Sequence, residues 1–106
     1  MVEASMKNLT VTSKANVYFD GKVTSRTCYR EDGSRLTFGI ILPGTYTFGV
    51  GDKEIVEIID GQCQVLLPGQ EDWQTVNTGE TFVVGPDCDY QIRAYVVTEY
   101  LCDYVK

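Results

Sequence analysis

Short runs rich in Val, Ile, Thr, Tyr and Phe follow one another along this chain, each cut off by Gly, Pro, Asp or Asn. β-Branched and aromatic side chains suit a pleated, half-buried surface, and the interrupting residues supply turn geometry. A helical period is hard to find anywhere. The pattern predicts strands at 22–28, 35–42, 45–50, 54–60, 62–67, 73–76, 81–84, 90–96 and 99–104, with a further strand before Tyr18. In the segment 90–96, Tyr90, Ile92, Ala94 and Val96 alternate with Gln91, Arg93 and Tyr95, which gives one apolar and one mixed face. Ile55, Val56, Ile58 and Ile59 form a nearly continuous apolar run, as expected of a strand covered on both sides. A second subunit laid on that sheet would supply the second cover and hide exposed edges. Asp32-Gly33 and Asp60-Gly61 read as tight hairpin turns and Pro43-Gly44 as a type II turn. Pro68-Gly69 and Asn77-Thr78-Gly79 mark two more loops. Many short strands with frequent turns predict an all-β, single-domain sandwich or barrel over residues 16–106. Residues 1–15 are polar and read as a flexible N-terminal extension.

Composition narrows the partners more than the fold. With 106 residues the chain is one domain with a modest core. A formal net charge of -6 argues against a nucleic-acid backbone or an anionic membrane as partner. It leaves room for a small anion, because a local group of Arg and Lys can oppose the global sign. No apolar run approaches the roughly 18 residues of a membrane span, and the first residues carry no apolar signal core. A cytoplasmic location is the expectation. Cys28, Cys63, Cys88 and Cys102 lie too far apart for a C-x-x-C pair, so they read as buried or half-buried thiols.

Glu54, six residues and then Gly61 resemble the second half of the first cupin metal motif. That motif runs Gly, five residues, His-x-His, three or four residues, Glu, six residues, Gly. Counting back from Glu54, the two histidine slots fall on Phe48 and Val50. The second motif can be laid on Gly79 and Gly85, which puts its histidine slot at Tyr90. The chain contains no histidine. A first-row metal needs imidazole, thiolate or carboxylate donors converging on it, and one carboxylate cannot hold it. The expectation is a cupin-type jelly-roll barrel with no metal and no other cofactor.

A longer pattern carries a closer resemblance. Val17-Tyr18-Phe19-Asp20-Gly21-Lys22-Val23-Thr24-Ser25-Arg26 is followed by Gly33-Ser34-Arg35-Leu36-Thr37-Phe38-Gly39, then by Ile41-Leu42-Pro43-Gly44-Thr45-Tyr46-Thr47-Phe48. Glu54 and Gly61, Leu67-Pro68-Gly69, Trp73, Gly79 and Phe82 come next, and the chain closes on Tyr100-Leu101-Cys102-Asp103-Tyr104. Together these resemble the small cupin-like pyrimidine/purine nucleoside phosphorylases of bacteria over roughly residues 16–105. Two departures stand out. Val84-Gly85-Pro86-Asp87-Cys88-Asp89 carries its proline one place late, and Ile55 occupies a position where the family often has Arg. Residues 1–15 are expected to precede the usual start.

The resemblance implies a metal-independent pentosyltransferase that splits purine and pyrimidine nucleosides with inorganic phosphate as co-substrate, and that works as a homodimer. Such a site needs donors for a phosphate dianion, a surface for a flat base and groups that hold the ribose. Its transition state is expected to resemble an oxocarbenium ion, which a nearby carboxylate can stabilise. Glu54 is the candidate for that catalytic role. Lys22, Ser25, Arg26 and Arg35 are the phosphate candidates, with Ser34 as a further hydroxyl donor, and Thr37, Tyr46, Phe48, Trp73 and Tyr90 are the substrate-binding candidates. For protonating a leaving purine only Asp87 and Asp89 present themselves. Two other readings stay open: a non-catalytic barrel that binds a nucleoside or sugar phosphate, and a metal-dependent cupin using Cys88 and Glu54.

Overall fold

A computed structural model describes residues 5–106 and resolves the strand pattern into two antiparallel sheets. The strands are β1 (Thr10–Val11), β2 (Asn16–Tyr18), β3 (Val23–Tyr29), β4 (Arg35–Ile41), β5 (Gly44–Val50), β6 (Lys53–Asp60), β7 (Gln62–Leu66), β8 (Gln74–Asn77), β9 (Thr81–Val84), β10 (Cys88–Ala94) and β11 (Thr98–Val105). The larger sheet runs β1-β3-β4-β11-β6-β9, with β2 also paired to β3. The smaller one runs β5-β10-β7-β8. The chain thus passes from one sheet to the other and back, and the last strand is inserted between β4 and β6.

Alternation along each strand decides what faces inward. Val23, Ile41, Val56, Ile58, Phe82 and Val84 of the larger sheet meet Tyr46, Val50, Val65, Val76, Tyr90 and Ile92 of the smaller one in a single core. Burying an aliphatic side chain fully contributes about 1.5–3 kcal/mol, so these layers carry most of the fold. A second cluster lies on the outer face of the larger sheet, where Cys28, Leu36 and Leu101 are buried under Met6, Leu9, Phe38 and Ile59. The apolar run of β6 therefore does have two covers at Ile59, and part of the outer one comes from this chain's own N-terminal segment. Within the stretch expected to stand apart as an extension, Thr10–Val11 pairs with β3. Residues 1–4 lie outside the described residues.

Several turns differ from their sequence reading. Asp60-Gly61 is no hairpin, because β6 and β7 belong to different sheets. Gly61 (φ 97°) marks the crossing, and a Cβ there would stand 2.7 Å from the Val97 carbonyl and 2.8 Å from Thr98 Oγ1. The Asp32-Gly33 pair sits in a wider loop closed by Arg30 N–H to the Ser34 carbonyl (2.9 Å) and Gly33 N–H to the Arg30 carbonyl (2.9 Å). The segment expected at 73–76 begins one residue later, which leaves Trp73 in the loop. The one expected at 90–96 runs Cys88–Ala94, with Tyr95, Val96 and Val97 exposed beyond it. Between β2 and β3, Phe19 (φ 52°), Asp20 (φ 56°) and Gly21 (φ 89°) form a left-handed turn, a costly conformation for a bulky residue such as Phe19.

Candidate functional site

Between the inner faces of β3, β4, β6 and β11 and those of β5 and β10 lies a cavity of about 410 Å³. Ser25, Arg35, Glu54, Tyr100, Cys102 and Tyr104 line it from the larger sheet, and Phe48, Tyr90 and Ile92 from the smaller one. Tyr18, Gly49, Gly51 and Asp52 also line it, outside the β-branched core. One wall is therefore aromatic and the other polar. Phe48 and Tyr90 are paired across β5 and β10, with ring centroids 6.1 Å apart and planes inclined by 27°. Tyr18 meets Phe48 edge-on at 6.1 Å, and Phe19 packs on Phe48 (5.4 Å) and Tyr46 (5.0 Å).

Glu54 is half-buried on the opposite wall. Its Oε1 accepts a hydrogen bond from Cys102 Sγ at 3.4 Å. Desolvation raises the carboxyl above its ordinary value of 4.5, against the Cys102 thiol and the charge of Arg35, which favour the ionised form. The Arg35 guanidinium lies 3.8 Å from the centroid of the Tyr104 ring. The Tyr104 hydroxyl shares a 3.2 Å hydrogen bond with Thr37 Oγ1. At the far side Asn16 Nδ2 donates to Ser25 Oγ (3.2 Å) and Thr27 Oγ1 (3.0 Å). Burial raises the phenols of Tyr90, Tyr100 and Tyr104, so they remain protonated donors near neutral pH.

Of the candidates named from sequence, Glu54, Phe48, Tyr90, Ser25 and Arg35 meet in this cavity. The others lie elsewhere, Ser34 in the loop between β3 and β4, where its hydroxyl accepts from Arg30 Nη1 at 3.3 Å. Thr37 is buried behind Tyr104 and reaches the cavity only through that hydroxyl. Tyr46 is buried with its hydroxyl donated to the Leu42 carbonyl (2.8 Å), where it closes the turn into β5. Trp73 carries the Arg93 guanidinium 4.0 Å over its ring, and Arg93 Nε donates to Gln64 Oε1 (2.6 Å). Arg93 and Gln64 alternate with the core residues of β10 and β7, so that group belongs to the outer face of the smaller sheet. Arg26 alternates with Ser25 and points outward, donating to the Ser13 carbonyl. Lys22 is exposed and absent from the lining.

Asp87 and Asp89 are absent from the lining as well, Asp89 facing a shallow groove with Thr47 and Gln91. Among the described residues no group of three or more His, Cys, Asp or Glu side chains converges as a metal site would require. Phe48 and Tyr90 face inward at their cupin slots, beside Glu54. Sequence reasoning missed Tyr18, Tyr100, Cys102 and Tyr104 as site residues. The signal for the last three was the period-2 alternation of Tyr100, Cys102 and Tyr104 with Leu101 and Asp103 along the final strand.

A family profile described as pyrimidine/purine nucleoside phosphorylase matches residues 13–104. The chain belongs to this family. Curated relatives bearing the same name are 45% identical in Leptospira interrogans and 43% identical in Colwellia psychrerythraea. Each alignment spans 103 residues, or 97% of this chain, and covers 97% and 99% of the respective relative. Among solved structures, a protein of unknown function from Acinetobacter sp. ADP1 superposes with a TM-score of 0.95 at 33% identity, covering 97% of this chain and 100% of that one. An RmlC-like cupin from Shewanella frigidimarina superposes at 0.67 with 12% identity, over 86% of this chain and 81% of that one. The fold is a cupin-type jelly roll, as the sequence pattern implied. Among the described residues no helix is long and apolar enough to cross a membrane.

Proposed function

We propose that the chain is a metal-independent phosphorylase that cleaves the N-glycosidic bond of purine and pyrimidine nucleosides. A phosphate oxygen attacks C1′ as the C1′–N bond breaks, the base departs with the bonding electron pair, and a pentose 1-phosphate remains. The reading is carried by one arrangement: the Glu54 carboxyl faces the Phe48–Tyr90 aromatic wall across a cavity that also holds the Arg35 guanidinium. In it the base lies against Phe48 and Tyr90, which need only present an aromatic face. Glu54 holds ribose hydroxyls and stabilises the positive charge that grows at C1′. Arg35 receives phosphate with the hydroxyl of Ser25, a guanidinium being suited to bidentate contact with phosphate oxygens. Proton donors at the cavity wall, the phenols of Tyr100 and Tyr104, take the place of the missing histidine. The donor set favours metal independence, since Phe48, Val50 and Tyr90 replace imidazoles and leave Glu54 with the Cys102 thiol alone beside it.

Support also comes from the two departures. Glu54 and Val56 face the cavity, so Ile55 between them faces outward and takes no donor away from this subunit's pocket. The Gly85–Asp89 turn reaches the site only at its rim, where Asp87 N–H donates to the Gly51 carbonyl at 3.0 Å. Outward-facing Ile55 pairs in register with Val83, which is exposed, as is Val105 two strands away. We assign this apolar area to a homodimer contact. A dimeric mass by light scattering, lost in Val83→Asp, is expected; a monomeric wild type overturns the assignment.

The test of the reaction is release of free base from a panel of nucleosides with and without phosphate. Phosphate-dependent release that falls at least tenfold in Glu54→Gln, with the fold intact, is the expected outcome. Folded protein that releases no base from any nucleoside at high phosphate removes the enzyme reading and leaves a barrel that binds such ligands without turning them over.

A further inference from the structure

Cys102 lines the cavity and has no part in the reaction just described. It is 2% exposed on β11, between Tyr100 and Tyr104, whose side chains point into the same space. Register places Tyr104 opposite Glu54 and Cys102 opposite Val56, so the thiol stands diagonally across from the carboxyl. Its Sγ lies 3.4 Å from Oε1. Resting on the phosphorylase reading, we propose that Cys102 is a positioning residue for Glu54, its S–H holding Oε1 so that Oε2 is presented to the ribose.

The choice of a thiol for this task has a physical logic. A sulfhydryl is a weak donor on a small, apolar body, so it fixes the carboxyl rotamer without bringing water into the wall. Burial first, and the Glu54 charge after it, push the thiol far above its ordinary range, so it keeps the proton that it donates. The reciprocal effect falls on Glu54, whose ionised form the S–H favours against desolvation. The other groups facing this carboxyl are Arg35 from β4, Tyr104 and Tyr100 from β11 and Tyr90 from β10, with exposed Asp52 at the rim. Of these, the three phenols stay neutral across the acid range. A thiolate nucleophile is excluded by the same chemistry, because a thiol held protonated does not attack.

The experiment compares wild type, Cys102→Ala and Cys102→Ser. Turnover of nucleoside with phosphate is followed from acid to neutral pH, and the Glu54 carboxyl is titrated by ¹³C NMR in the ligand-free protein, with Glu54→Gln assigning the resonance. Removing the donor in Cys102→Ala should move both the acid limb of kcat and the NMR midpoint upward by about half a pH unit or more. Cys102→Ser, which restores a donor, should bring both back to the wild-type value or below it. An alanine variant whose midpoint coincides with wild type overturns the proposal, as does a serine variant shifted as far as alanine. The NMR midpoints read the thiol–carboxyl coupling even if wild type proves inactive, so failure of the phosphorylase reading is distinguishable from failure of this one.

Discussion

Gly39 on β4 pairs with Tyr100 on β11, and the tyrosine ring lies across the glycine. A Cβ at position 39 would stand 2.3 Å from Cζ, 2.5 Å from Cε1 and 2.5 Å from the hydroxyl oxygen of Tyr100. Two ring carbons and the hydroxyl oxygen at those distances cannot be accommodated by a small adjustment, so Gly39→Ala must drive the phenol off the sheet. Overpacking of this kind costs about 1–3 kcal/mol. Against it stands the gain of about 0.5–1 kcal/mol from replacing a strand glycine by alanine. The net loss is centred on about 1 kcal/mol and reaches about 2.5 kcal/mol at most, which lowers the urea midpoint by up to roughly 1 M at the m-value of a small domain. The assay is equilibrium urea unfolding of Gly39→Ala, Tyr100→Ala and the double variant. With the ring gone, Gly39→Ala should be neutral or stabilising, so the two substitutions must couple. A Gly39→Ala penalty of the same size in both backgrounds would refute the steric account. The ring's route of escape leads into the cavity, so Gly39→Ala should also weaken binding of a nucleoside.

Glu54→Gln should stabilise the fold at pH 7 while lowering turnover. A carboxyl raised in the folded state binds its proton more tightly there than in the unfolded chain, so its contribution to stability falls as pH climbs from about 4.5 through the folded value. The gain in melting temperature over wild type should therefore appear at pH 7 and largely vanish at pH 4; an equal gain at both would show that desolvation of the charge is not its source. Phe48→Ala should raise the KM for nucleoside at least several-fold more than that for phosphate, whereas an equal rise in both would indicate collapse of the aromatic wall. Arg35→Met should do the reverse, and a phosphate KM left unchanged would remove Arg35 from the anion seat.

The fold was legible because its determinants are local. Alternation, turn residues and the spacing of Glu54 from Gly61 all point to one barrel; the inward positions of Phe48 and Val50 follow from that spacing, and that of Tyr90 from the spacing of Gly79 and Gly85. What stayed hidden was long-range. Asp60-Gly61 has the composition of a hairpin, yet its glycine is required because the backbone of Val97 passes close by, a contact that local sequence does not encode. Arg26 and Arg35 look alike as candidate cations, but parity sends one to each face of the sheet. Trp73 was attractive as a stacking surface, and only the register of β7 with β10 reveals that its partner is Arg93 on the outer face. Cys102 read as an inert core thiol because nothing near it in sequence announces Glu54, which is 48 positions away.

The left-handed turn at Phe19–Gly21 lies outside the cavity lining and braces its aromatic wall from behind. Phe19 keeps an unfavourable backbone setting through ring contacts with Tyr46 and Phe48 and the Lys22 N–H to Phe19 carbonyl bond of 3.2 Å. Phe48 is thus buttressed by Phe19 and met edge-on by Tyr18. A flat ring laid on Phe48 finds its platform already fixed, so little ordering has to be supplied at the moment of association.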